Sequence, residues 1–171
     1  MSPDGHLISS TPGAFRLRWD VFLNFRGADT RRCFTTPLYN ALESRGVRVF
    51  LDDFELDRGN KIDPSLFDAI DDSAASIIIF SPRYASSHWC LDELAKIWNC
   101  GRLILPVFFN VDPSHVRKQE GPFRRYFKKH EAERSKEEVS RWREALKKVG
   151  GIAGFPFWYP RSFLLLSTPL C

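Results

Sequence analysis

The 171-residue chain lacks the glycine motifs that cradle nucleotides in two widespread folds. It contains no GxGxxG and no GxxxxGK segment, so neither a Rossmann fingerprint nor a P-loop is indicated. Its four cysteines form no CxxC pair, and its four histidines lack metal-ligand spacing. We therefore expect no metal site, and a reducing compartment fits this cysteine usage best.

The chain also lacks a long apolar run. A membrane helix needs about 20 consecutive apolar residues, and every run here is far shorter. The polar, proline-containing start shows no secretory leader, and no N-x-[ST] acceptor occurs. We expect a cytoplasmic protein, with the nucleus as a second setting, no membrane partner, and disorder over residues 1–17.

Charge of both signs is present but unevenly placed. Residues 50–94 hold ten acidic and three basic side chains, whereas residues 116–150 hold twelve basic and six acidic ones. This pattern leaves two readings open, namely solvated helical faces of opposite sign or head-to-tail contacts between copies. The aromatic residues of the basic stretch have core-like spacing, so nucleic acid is not favoured as a partner.

Apolar segments alternate with helical patterns along the chain. Strands are predicted over residues 19–25, 47–51, 76–80 and 103–109. Helices are predicted from the Thr36 cap with Pro37 at the first position, from Asp63-Pro64, and over residues 89–98, 123–133 and 136–149. This alternation predicts an α/β fold, a flavodoxin-like three-layer sandwich around a central parallel sheet.

Parallel sheets bind ligands beyond the carboxyl ends of their strands. In this chain that rule selects four segments, which are Arg26-Gly27, Asp52-Asp53, residues 81–87 and Asn110-Val111. We therefore expect a binding site to be built from these four segments.

Five blocks in order then resemble one family. They are DVFLNFRGADTR at residues 20–31, FLDD with LDRG at 50–59, SPRYASSHWCLDEL at 81–94, PVFFNVDPS at 106–114 and WREAL at 142–146. Together they resemble a plant-type TIR (Toll/interleukin-receptor) domain, as in TIR-class disease-resistance proteins. The resemblance assigns residues 18–150 to the TIR domain and leaves residues 151–171 as a divergent tail.

The resemblance implies NAD⁺ cleavage at the nicotinamide–ribose bond, with NAD⁺ as substrate and no cofactor. Glu93 matches the family's catalytic glutamate. Its carboxylate would stabilise the positive charge that develops on the ribose, unlike the paired carboxylates of ordinary glycosidases. A plain alternative is a carboxylate favoured near a helix start. Asp92 should point about 100° away on the helix and cannot replace it.

The resemblance also implies residues that bind the nucleotide. Ser87 and Trp89 would line the pocket, and Arg26 and Gly27 would approach a phosphate. Alternative roles are a core anchor for Trp89 and a structural salt bridge for Arg26. Asp53 and Arg58 flank a loop that would shape the pocket or a contact between copies.

The chain departs from the family in three places. Asn24 and Ala28 replace a usual serine and glutamate, and Thr36-Pro37 replaces a small residue followed by histidine at a self-association surface. In the tail, prolines at 156, 160 and 169 forbid a regular closing helix, which is therefore missing or altered.

Two functions of different class follow from the resemblance. The first is a TIR NAD⁺ glycohydrolase or cyclase, activated by self-association and acting in plant immune signalling and defence. The alternative is a non-catalytic adaptor or decoy that binds other TIR domains.

Overall fold

A parallel five-stranded sheet forms the centre of the protein, in the strand order β2-β1-β3-β4-β5. The computed structural model describes residues 16–52 and 64–159. Helices cover both faces of the sheet, so the predicted three-layer α/β architecture is confirmed. Among the described residues, no helix has the length and apolar character needed to cross a membrane.

The strands agree closely with the apolar segments of the sequence. They are β1 Trp19–Phe25, β2 Val49–Leu51, β3 Ser73–Phe80, β4 Leu103–Phe109 and β5 Phe155–Phe157. The helices are α1 Gly27–Thr30, α2 Thr36–Glu43, α3 Pro64–Asp71, α4 His88–Cys100, α5 Pro113–Lys118, α6 Pro122–Glu133 and α7 Lys136–Val149. Strands β1 and β4 and helix α7 have the predicted bounds.

One face of the sheet carries the larger part of the core. Phe22, Ile78 and Phe108 point to this face and are buried against α3, α4, α6 and α7. Trp142 of α7 is among the largest fully buried side chains. Successive strand residues alternate between faces, so Leu23 and Ile77 point to the opposite, thinly covered face. There they are buried against Phe34, Leu38 and Leu42, which are themselves only partly buried.

The entry to α2 differs from the prediction. The chain is already helical from Gly27, and a wide π turn over Arg31–Thr35 leads into α2. Thr36 is the first residue of α2 and not its cap, so the predicted cap was wrong. Pro37 has no N–H with which to continue an α-helical ladder, and the wide turn lies immediately before it.

Two of the elements that follow β4 were not predicted from the sequence. Asp112 accepts a hydrogen bond from the Ser114 N–H at 2.7 Å and thereby caps α5, where the sequence predicted only a turn. Residues 155–157, within the segment assigned to a divergent tail, add β5 to the edge of the sheet beside Val107–Phe109. Three parts of the prediction lie outside the described residues. They are residues 1–15 of the start predicted to be disordered, Asp63 at the predicted helix start, and the tail after residue 159.

Candidate functional site

A small cavity lies at the carboxyl end of the sheet. It is lined by Leu23 and Phe25 at the end of β1, by Asp52 just after β2, and by Glu93 of α4. Leu23 and Phe25 belong to the thinly covered face, whereas α4 packs on the other. The cavity therefore forms where the two faces meet, at the edge that the sheet topology selects for ligands.

Helix α4 places Glu93 at this cavity. The Ser87 hydroxyl caps its start by accepting a hydrogen bond from the Cys90 N–H at 3.3 Å, and Gly101 ends it in the left-handed conformation. Glu93 lies in the second turn and is only 6% exposed. A carboxylate buried to this degree requires hydrogen-bonding partners, and Asn24 provides one, with Nδ2 at 2.8 Å from Glu93 Oε2.

Asn24 belongs to a buried polar network that the sequence did not reveal. Its Oδ1 accepts a hydrogen bond from the Tyr84 hydroxyl, which also lies 3.0 Å from the carbonyl oxygen of Cys90. The sequence identified Asn24 only as a departure from a usual serine. The signal that could have found it is its position two residues after Phe22, which places this polar side chain on the core-facing side of β1.

Asp92 and Glu93 point to different parts of the molecule, as predicted. Asp92 Oδ1 accepts a hydrogen bond from Trp142 Nε1 at 2.8 Å, which ties α4 to α7. Burial raises the pKa of Asp92, and the Trp142 N–H opposes this shift. Asp92 therefore serves the packing of two helices, whereas Glu93 faces the cavity.

The guanidinium of Arg26 is held within the protein. Its Nη1 donates to Asp29 Oδ1 and its Nε to Ser86 Oγ, both at 2.8 Å. Asp29 also accepts hydrogen bonds from the Ser81 hydroxyl at 2.6 Å and from Arg83 Nε at 2.9 Å. Arg26 thus forms the structural salt bridge that the sequence left open, and its binding of a phosphate stays a prediction.

The remaining described candidates lie at the starts of two helices. Gly27 begins α1, and Ser87 is the cap of α4, so its hydroxyl already serves the backbone. Trp89 is half-buried and belongs to neither core cluster. Its ring centroid lies 4.2 Å from that of His88, whose pKa is lowered mainly by burial. Trp89 is therefore not the core anchor that the sequence allowed.

Arg31 is a charged neighbour of the cavity that the sequence analysis missed. Its Nη2 donates to the carbonyl oxygen of Asp52 at 3.1 Å, and its guanidinium lies 5.0 Å from the Phe25 ring centroid. The predicted Asp53 and Arg58 lie outside the described residues. Within residues 16–52 and 64–159, no group of three or more metal-binding side chains comes together.

Comparison with known proteins agrees with this architecture. The chain matches the family model for the TIR domain over residues 18–162. It is 51% identical over 152 residues to the disease resistance protein RPV1 of Vitis rotundifolia, covering 86% of this chain and 11% of that protein. It is 41% identical over 153 residues to the TMV resistance protein N of Nicotiana glutinosa, covering 86% and 13%.

A solved structure matches as well. The TIR domains of the activated Roq1 resistosome directly recognizing the pathogen effector XopQ superpose with a TM-score of 0.73 at 47% identity, covering 81% of this chain and 87% of that one. The chain spans only about an eighth of the curated relatives, 11% and 13% of their lengths. On the family match, the identities and the shared fold, the chain belongs to the TIR domain family, among the TIR domains of plant disease-resistance proteins.

Proposed function

We propose that this chain is a TIR-domain NAD⁺ glycohydrolase that breaks the bond between nicotinamide and ribose and acts in plant immune signalling. Nicotinamide leaves NAD⁺ as a neutral molecule, so its departure requires no general acid. Positive charge grows instead on the ribose, and a carboxylate fixed close to that sugar stabilises it. NAD⁺ is the substrate in this proposal, and Glu93 is the group that acts on it.

The observation that carries the proposal is a buried carboxylate fixed beside a cavity. Glu93 is held by Asn24, and the apolar side chains of Leu23 and Phe25 line the same space. A charge surrounded by apolar walls interacts more strongly with a developing opposite charge than it would in water. Because the carboxylate is already oriented, little reorganisation accompanies the reaction.

Two other features support binding of a dinucleotide. The half-buried indole of Trp89 offers an aromatic face for stacking on a base or pyridinium ring. Arg31 places positive charge beside the cavity, against Phe25 and the Asp52 carbonyl. We include activation by self-association, because the similar TIR domains of Roq1 occur within a resistosome.

The proposal is tested by nicotinamide release from concentrated protein. Glu93→Ala should abolish release because it removes the carboxylate from the cavity. The matched control is Asp92→Asn, one residue away, which keeps an acceptor for Trp142 Nε1 and should keep most of the activity. Undiminished release by folded Glu93→Ala would remove Glu93 from the mechanism, and equal losses in the two variants would point to damage to α4.

A second candidate function is a non-catalytic module that binds other TIR domains. It is favoured by the exposed aromatic residues at the edge strand β5, where Phe155 is 62% and Trp158 is 61% exposed. Pro37 is also exposed on α2, at the position where the family usually carries histidine. Such a surface suits association with a further domain.

Association with a TIR domain of a disease-resistance protein would test this second function. Phe155→Glu together with Trp158→Glu should weaken binding, whereas Leu103→Glu, at a residue 60% exposed at the start of β4, should not. No association of the unaltered chain at any accessible concentration would contradict it.

A further inference from the structure

Asn24 lies inside β1 and is 0% exposed, an unusual place for an amide side chain. Its hydrogen-bonding atoms nevertheless all have partners. Nδ2 donates to Glu93 Oε2 at 2.8 Å and lies 3.5 Å from the carbonyl oxygen of Cys90, and Oδ1 accepts from the Tyr84 hydroxyl. Both ends of the amide are therefore fixed, one by the candidate catalytic carboxylate and one by a fully buried tyrosine.

The orientation of this amide has a chemical consequence for Glu93. With Nδ2 toward the carboxyl group, Asn24 offers a proton to a lone pair of Glu93, which favours the charged carboxylate. The opposite orientation would place Oδ1 against Oε2, two acceptors at 2.8 Å, and would also forfeit the Tyr84 proton. In the observed orientation, Tyr84 donates to the end of the amide that faces away from Glu93, while Nδ2 faces the carboxylate.

We propose that Asn24 is a positioning residue for the reaction, with Tyr84 behind it. The pair holds the Glu93 carboxylate in one orientation at the cavity. This inference rests on the proposed NAD⁺ chemistry, for which the carboxylate must be ionised and fixed. Because Asn24 is fully buried, it acts only through Glu93 and touches no substrate.

Other charged groups of the described residues also face this part of the cavity. Asp52 lines the same space, and its negative charge opposes ionisation of Glu93. Arg31, which lies over Phe25 and donates to the Asp52 carbonyl, adds positive charge nearby. A change at Asn24 leaves these groups in place, so the variants below isolate the contribution of the amide.

Asn24→Asp is the most direct test, because it keeps the shape and replaces the donor facing Glu93 by a negatively charged acceptor. We expect kcat for nicotinamide release at pH 7 to fall about tenfold or more, since like charges disfavour an ionised Glu93. The acid limb of the pH profile should move to higher pH by about one unit. KM for NAD⁺ should change less than about threefold, because Asn24 does not contact the substrate.

Two further variants separate positioning from general damage. Tyr84→Phe keeps the ring that packs on Phe80 but removes the hydroxyl that orients the amide, so it should lower kcat severalfold with little change in KM. Ser73→Ala removes a buried hydrogen bond, Oγ to the Ala69 carbonyl at 2.7 Å, near the amino end of β3 and away from the cavity. It should leave kcat and the pH profile unchanged.

A double-mutant cycle tests the contact without relying on activity. In Asn24→Asp the unfolding equilibrium constant should rise about tenfold at pH 7, because two carboxylates face each other. Adding Glu93→Gln should reverse most of that rise, since the glutamine amide can donate to Asp at position 24, yet nicotinamide release should stay absent.

The outcomes of the cycle distinguish the two proposals. Additive effects on unfolding, or a pH profile that does not move in Asn24→Asp, would overturn the role of Asn24. The other case is a chain in which the two substitutions have non-additive effects on the unfolding equilibrium constant but which releases no nicotinamide at any concentration. That result would support the contact between Asn24 and Glu93 and contradict the NAD⁺ chemistry instead.

Discussion

The two faces of the sheet are covered very differently. On one face, helices α3 to α7 bury a continuous cluster that includes Phe123, Phe127, Trp142 and Leu146. On the other face, none of the residues of α2 is fully buried, and Phe34 is among the side chains that are only partly covered. The cavity with Glu93 forms at the carboxyl end, where these two environments meet.

This difference assigns stability mainly to one face and the cavity to the edge of the other. The thickly covered face holds the larger buried apolar cluster, so it contributes the larger hydrophobic stabilisation, which grows with the apolar surface removed from water. It also supplies the rigid helix α4 on which Glu93 is held. The thinly covered face leaves β1 and β2 room to line a cavity. Comparable substitutions on the two faces should therefore have unequal effects.

The largest effect is expected from Phe127→Ala on the thickly covered face. Phe127 is 1% exposed and contacts His130 and the guanidinium of Arg143. Truncating a buried phenylalanine leaves a cavity, so the free energy of unfolding should fall by about 3–5 kcal/mol. Chemical denaturation followed by tryptophan fluorescence would measure it, and a loss below about 1 kcal/mol would contradict the assignment of the main core to this face.

Phe34→Ala makes the same chemical change on the thinly covered face. Phe34 packs on Phe109 and Phe157, with ring centroids 5.3 and 5.1 Å away, but it remains partly exposed. The surroundings of a partly exposed ring can admit water, so we expect a loss of about 1–2 kcal/mol. The same denaturation experiment applies, and a loss equal to that of Phe127→Ala would remove the difference between the faces.

A smaller effect is expected from Ser135→Ala at the start of α7. Ser135 and Glu138 form a reciprocal capping box, with the Glu138 N–H donating to Ser135 Oγ at 3.2 Å. Losing this cap should lower the free energy of unfolding by about 1 kcal/mol. The control is Ser140→Ala, exposed in the same helix, which should be neutral in thermal or chemical unfolding. Equal losses would exclude the cap as the cause.

The smallest effect concerns pH at the start of α4. Burial, with a contribution from Arg134, lowers the pKa of His88 from 6.5. The unfolded chain then binds a proton more readily than the folded one, so stability is present above about pH 6.5 and is lost as the pH falls. His88→Gln should therefore lose less stability than the unaltered chain between pH 7 and 5. Parallel pH curves of the unfolding free energy would contradict this.

The sequence predicted most of the fold because its apolar residues recur at regular spacings. The continuous apolar run of residues 76–80 predicted a strand and the 3.6-residue pattern of α7 a helix. Both formed, although β3 begins earlier, at Ser73. The wide turn before α2 was not predictable, because no residue type encodes it. Helix α5 could have been found, since Asp112-Pro113 is a helix-start signal that was interpreted as a turn.

The candidate site was predictable only in part. The position of Glu93 on a helix after a strand end placed it at the correct edge of the sheet. Its partner could not be found from spacing, because Asn24 and Glu93 are 69 residues apart and meet only when β1 packs against α4. The contacts of Arg26 likewise depend on Ser86, a residue of another loop.

The Asp29 carboxylate has a consequence for how the rim of the site can move. It joins the turn after β1 to the loop after β3 through Ser81 and Arg83, and Arg26 of the same turn adds a contact with Ser86. Separating these two segments would break the Asp29 contacts with Ser81 and Arg83 and the Arg26 contact with Ser86 at the same moment. Opening on this side must therefore be a single cooperative event with slow amide exchange, and not a gradual fraying of one loop.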